Sequence, residues 1–123
     1  MTYVNISVEQ VATADNTKNI KIVKFEGQLD ESNVDENSQK IYKLIEEVPQ
    51  NLHLILDFSA LEYMNSKAIG YLTDWYGKVT AKNGNIVIAQ AKENIIDILQ
   101  VVGLTQLVKC YTSLEEAKLA VIS

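Results

Sequence analysis

Asn65-Ser66-Lys67-Ala68 lies where an apolar run ending at Asp57 has passed through a short polar and apolar connection and a helical pattern begins. This placement delivers the Ser66 hydroxyl to the mouth of a helix, where unpaired backbone N–H groups favour negative charge. The chemistry open to such a hydroxyl is phosphorylation, together with a partner that reads the phosphate. The competing use is an N-cap, a role serine favours. The residue three positions on is Ile69 rather than Glu, so the reciprocal half of a capping box is missing.

Other chemistry is poorly supplied. The single histidine, His53, opens an apolar run and reads as structural. Cys110 sits between Lys109 and Tyr111 in a strand-like stretch, where a buried, inert thiol is expected. No G-x-G-x-x-G, Walker A or G-x-S-x-G pattern occurs, and one His and one Cys far apart give no metal-ligand spacing. The acidic residues Glu26, Asp30, Glu31, Asp35 and Glu36 read as a solvated helix start. No catalytic residue, cofactor or metal is expected, and the chain is not read as an enzyme.

Composition narrows the partners. A net charge of −5 argues against nucleic acid, which needs a basic footprint. All 11 basic residues are lysines, so bidentate clamping of phosphates or carboxylates by arginine is not available. A basic protein surface is the favoured counterpart. No apolar run reaches the roughly 18 residues of a membrane span, and no secretory leader is recognised, so membrane insertion is not expected. With one cysteine and no export signal, the cytoplasm is the expected setting.

The elements that would position Ser66 follow from periodicity. Tyr3–Val8 alternates as a half-buried strand, Glu9–Asn19 reads as a hairpin connection, and Ile20–Glu26 as a second strand ended by Gly27. A helix capped near Asp30 or Ser32 carries Ile41, Leu44, Ile45 and Val48 on one face and stops at Pro49. The central strand is expected at about His53–Asp57. The helix after Ser66 places Ile69, Leu72, Tyr76 and Val79 on one stripe and Lys67, Tyr71, Asp74 and Lys78 opposite, with Gly70 and Gly77 marking a close backbone approach. A strand at Ile86–Ala89, a helix at Asn94–Val102 stopped by Gly103, a strand at Leu107–Tyr111 and a helix opened by the Ser113–Glu116 capping box complete the chain. The order β-β-α-β-α-β-α-β-α predicts one α/β domain over residues 1–123, with a mixed, mainly parallel sheet flanked by helices.

Three segments in this order resemble the STAS domain of bacterial anti-sigma factor antagonists and sulfate-transporter tails. They are Gly27-Gln-Leu-Asp30, Asp57 through Asn65-Ser66 to Gly70, and Ile98-Leu-Gln-Val-Val-Gly-Leu104. The resemblance covers about Tyr3 to Val121 and implies a STAS-like fold. It also implies that Ser66 stands at the serine phosphorylated by a partner kinase. Asn65 replaces the family's usual aspartate, and Lys67 and Ala68 replace a small residue and a glycine. Lys67 adds a cation beside the acceptor, expected to favour the phosphorylated form, and the Ala68 methyl crowds close approach.

The implied function is that of an anti-sigma factor antagonist acting by protein–protein binding in a partner-switching pathway. Its partner would be an anti-sigma factor that is also a serine kinase of histidine-kinase-like ATPase fold, with a protein phosphatase to reset the cycle. The alternatives are an interaction subunit of a signalling or lipid-transport assembly that is never phosphorylated and, less favoured, a small-ligand or nucleotide binder. The expected partner-facing residues are Asn65, Lys67, Ala68, Tyr71, Asp74, Trp75 and Ile95. Trp75 either anchors an interface or rolls into the core margin. The helix carrying Ile95 has more apolar residues than one buried stripe needs.

Overall fold

The computed structural model describes residues 3–12 and 17–122. Its element order is β1 (Val4–Val11), β2 (Asn19–Leu29), α1 (Val34–Glu47), β3 (Leu52–Met64), α2 (Ser66–Thr80), β4 (Asn85–Ala89), α3 (Glu93–Val101), a 3-10 turn (Leu104–Gln106), β5 (Cys110–Tyr111) and α4 (Leu114–Ile122). The strands lie in the order β1-β2-β3-β4-β5, with β1 antiparallel to β2 and all other pairs parallel. The fold is thus the mixed, mainly parallel α/β arrangement that the periodicity predicts.

The two faces of the sheet carry different loads. Val23, Phe25, Leu54, Leu56, Phe58, Ile86 and Ile88 meet the buried stripes of α1, α2 and α3 in the main core. Ile20, Ile22, Ile55, Val87 and Ala89 point the other way and are covered by Ala117 and Val121 of α4. A fully buried Leu or Ile contributes about 1.5–3 kcal/mol, so the three-helix face dominates stability. Edge-to-face packing of Phe25 on Phe58 and stacking of Phe25 on Trp75 tie β2, β3 and α2 together.

Several boundaries differ from the sequence reading. β3 runs to Met64 rather than ending near Asp57, because it carries two bulges that break its period-two pattern. Lys24 pairs with Asp57 but Glu26 with Ala60, and Gly27 pairs with Leu61 but Gln28 with Tyr63, so each interval adds one residue to β3. Gly27 lies inside β2, at φ +106°, where a Cβ would sit 2.2 Å from the Tyr3 carbonyl oxygen. β1 extends to Val11 and so takes up part of the expected hairpin connection, of which residues 13–16 lie outside the described residues. β5 is two residues long, Cys110–Tyr111, because residues 107–109 turn and bend after the 3-10 turn instead of joining the strand.

Gly70 and Gly77 mark no close approach: nothing lies within 4 Å of a Cβ built at either. The tight spot is Gly84, where a Cβ would fall 1.9 Å from the Leu52 carbonyl oxygen. α1 begins at Val34 with Asn33 as N-cap, later than expected. Asp30 instead closes a turn, its carboxylate accepting from the Ser32 amide at 2.9 Å and the Ser32 hydroxyl at 2.6 Å. The Gly103 stop and the Ser113–Glu116 box hold, with Gly103 at φ +78° and the Glu116 amide donating to Ser113 Oγ at 3.1 Å.

Candidate functional site

The Ser66 hydroxyl reaches the surface because its neighbour does the capping. Asn65 has extended backbone (φ −85°, ψ 176°), and its side-chain oxygen accepts from the Ala68 amide at 2.9 Å. Ser66 is therefore the first helical residue rather than the cap. Its side chain is exposed and, among the described residues, its hydroxyl has no hydrogen-bond partner. The Asn65 amide donates to the Leu29 carbonyl at 3.0 Å, pinning the loop to the end of β2. Lys92 and Asn94 at the start of α3 hold the overhanging end of β3 by donating to the carbonyls of Ser59 (3.1 Å) and Glu62 (3.2 Å). The hydroxyl thus stands on fixed backbone at the carboxyl ends of the parallel strands.

Around it lies an open depression of about 660 Å³ lined by Asp30, Glu31, Ser32, Tyr63, Asn65, Ser66 and Lys67. Tyr63, 46% exposed, presents a large ring beside the hydroxyl. Sequence reasoning missed Tyr63 because its strand was ended too early, and it took Asp30 and Glu31 as mere solvated charge. The signal available was the β-forming composition of Phe58-Ser-Ala-Leu-Glu-Tyr-Met64, masked by the two bulges.

Lys67 does not stand free beside the acceptor. Its ammonium pairs with Asp35 of α1 at 2.9 Å, and Tyr71 donates to the same carboxylate at 2.6 Å. The Tyr71 hydrogen bond, followed by that from Lys67, holds the Asp35 carboxyl below its usual range. The same contact raises the Tyr71 phenol, and Asp35 likewise raises Lys67. Lys67 is thus engaged with Asp35 in an exposed ion pair, a weak contact, while Asp30 and Glu31 add negative charge to the rim.

The other expected partner-facing residues divide by burial. Asp74 is exposed and accepts a short hydrogen bond from Tyr42 of α1. Burial, then Asp74, pushes the Tyr42 phenol up to about 12. Tyr71 is half-buried, stacking on Trp75 and packing edge-on to Tyr42. Trp75 is only 2% exposed, with its indole N–H donating to Ser38 at 3.1 Å. Ala68 and Ile95 are fully buried. The side chains of Ala68 and Ile95 therefore fill the core rather than the surface expected for them, and Trp75 takes the inward one of its two expected places. Trp75 takes the inward place read for Tyr76, which is half-buried. The apolar excess of α3 does face outward, at Val101 (86% exposed) and, just beyond the helix, Val102 (56%).

Taken together, these features define an α/β domain that presents a helix-mouth hydroxyl, on a rigid strand–loop–helix unit, at one end of a mixed sheet. The STAS domain model matches residues 11–117, and the chain belongs to the STAS domain family. Similar solved structures include an anti-sigma factor antagonist from Mycobacterium paratuberculosis (21% identity, covering 95% of this chain and 96% of that one, TM-score 0.74). The anti-sigma factor antagonist SpoIIAA matches in its unphosphorylated form (21% identity, 93% of each chain, TM-score 0.74). The phosphorylated form of SpoIIAA, a Bacillus cell fate determinant, matches at 21% identity over 95% of this chain and 99% of that one (TM-score 0.70). The murine Solute Carrier 26 family member A9 anion transporter also matches, at 16% identity over 95% of this chain but 22% of that one (TM-score 0.75). At these identities the likeness concerns the fold. Among the described residues no helix is long and apolar enough to cross a membrane.

Proposed function

We propose that this chain is an anti-sigma factor antagonist, a binding module rather than an enzyme, whose contact surface centres on Ser66. The observation that carries the reading is the division of labour at the helix mouth: Asn65 caps, and the Ser66 hydroxyl is left exposed beside Tyr63. The unphosphorylated protein binds an anti-sigma factor through Asn65, Lys67, Tyr63 and the exposed ends of α1 and α2. That partner is also a serine kinase, and ATP is its substrate. Phosphorylation of Ser66 places roughly two negative charges against a rim already carrying Asp30 and Glu31, weakening the complex. A phosphatase restores the binding form. That structures of SpoIIAA exist in both phosphorylation states supports looking for the same chemistry here.

The test is intact mass after incubation with a purified anti-sigma kinase and ATP. Wild type gains the mass of one phosphate, and Ser66→Ala gains none. Equal incorporation in both, or none in wild type, refutes the switch. A second reading, a STAS interaction domain that is never phosphorylated, is favoured by the acidic rim and by the engagement of Lys67 with Asp35. It predicts partner binding that is indifferent to Ser66→Ala and to kinase.

A further inference from the structure

β1 closes one edge of the sheet, and among the described residues its only strand partner is β2. Every second backbone N–H and C=O along Val4–Val11 therefore points away from the sheet. Edges of this length are usually blunted by lysine, proline, a bulge or a covering helix. β1 carries none of these devices. The chain has 11 lysines and one proline, yet residues 3–11 contain neither, and Glu9 is their one charge. The register with β2 is unbroken over all eight residues of the strand. The helices stop short of it: Val8 is 50% exposed on one face, and Asn5, Ser7 and Glu9 are exposed on the other.

The edge is complementary to itself. Val4, Ile6 and Val8 stand opposite Gly27, Phe25 and Val23, so they share the face of the sheet that carries the main core. Val4 and Ile6 pack partly against that core, whereas Val8 lacks cover. A two-fold axis perpendicular to the sheet, between two copies of Ile6, sets Ile6 against Ile6 and Val8 against Val4 in an antiparallel pair. The three aliphatic side chains of each copy then form one strip. Glu9 comes opposite Tyr3 of the other copy, whose phenol can donate to it, rather than opposite a second carboxylate. A slip of one residue would set side chains of opposite faces against each other, which fixes the register. The far edge of the sheet does not compete, because β5 is two residues long and a head-to-tail β1–β5 ladder would be too short to hold.

We propose that β1 is a dimerisation strand, pairing with β1 of a second copy so that two five-stranded sheets become one. The symmetry turns the carboxyl ends of the parallel strands toward opposite ends of the joined sheet, so the two Ser66 hydroxyls face away from each other. The seam uses none of the residues lining the Ser66 depression, and it does not depend on the antagonist reading.

The test is sedimentation equilibrium of the full chain from about 1 µM to about 1 mM, the range in which a small interface associates. The mass of wild type is expected to rise from 13.8 kDa toward twice that value. Val8→Lys puts a charge on the edge opposite Val4 of the copy and weakens association at least ~10-fold. Val8 is half exposed, so the variant keeps its fold; its amide spectrum at low concentration checks this. Val101→Lys, at the exposed apolar end of α3, leaves association unchanged. In wild type, alternate amides of β1 gain protection from hydrogen exchange as concentration rises, a readout that needs no variant. A wild type that stays monomeric throughout, which would leave the edge to an extended segment of another protein, overturns the proposal. So does a dimer that persists in Val8→Lys, one lost in Val101→Lys, or β1 protection that ignores concentration.

Discussion

At the helix mouth two adjacent polar residues hold different jobs, and the sequence alone leaves open whether Ser66 is the cap or the free hydroxyl. Ser and Asn are both good N-caps, so propensity cannot choose between Asn65 and Ser66. The choice is made by the Leu29–Asn65 backbone bond, a contact between segments far apart in sequence. Two substitutions separate the roles. Asn65→Ala is expected to cost about 1 kcal/mol by loss of the cap, while Ser66→Ala changes stability by less than ~0.5 kcal/mol. Urea denaturation midpoints of the two variants decide; the larger loss in Ser66→Ala would move the cap to Ser66. The serine itself was legible from its place before a helical run. The Asp35–Lys67–Tyr71 cluster was not, since nothing in local periodicity says that α1 lies beside α2.

Strands and helices were read well where one period persists and poorly where it breaks. α2 starts at Ser66 and buries Ile69, Leu72 and Val79 as its spacing predicts, with Trp75 in place of Tyr76, and α4 keeps its capping box. β3 is more than twice its expected length because the bulges shift its phase twice, so that alternation fails while pairing continues. The glycines carry the same lesson. Equal spacing made Gly70 and Gly77 look like a packing groove, but the backbone that approaches closely is that of Leu52 against Gly84. Alanine at Gly70 or Gly77 is expected to stabilise by about 0.5–1 kcal/mol through helix propensity. Alanine at Gly84 is expected to cost at least ~2 kcal/mol, because backbone must shift. Thermal melts of the three variants check the opposite signs.

For the molecule as a whole, the titrating groups bracket the stable range. His53 and Asp35 have lowered values in the fold. As pH falls the unfolded chain therefore takes up their protons first, and stability drops below about 6.5 and again below about 4. Tyr42 is raised to about 12. Its contribution is intact below the ordinary phenol value of about 10 and is lost as pH rises from there through 12. Denaturation midpoints across this range should trace a dome whose alkaline limb is shallower in Tyr42→Phe; an unchanged limb would locate the effect elsewhere. The overall arrangement, with an acidic rim at one end of the sheet and lysines at the other, was invisible in a net charge of −5. The two added residues in β3 also act as phase setters for the hydroxyl. One residue removed at Glu62 would turn Met64 out of the core and swing Ser66 toward the opposite side. The chain thus encodes the aim of its hydroxyl partly as a length, and variation in that length could retire the surface while every residue on it stayed the same.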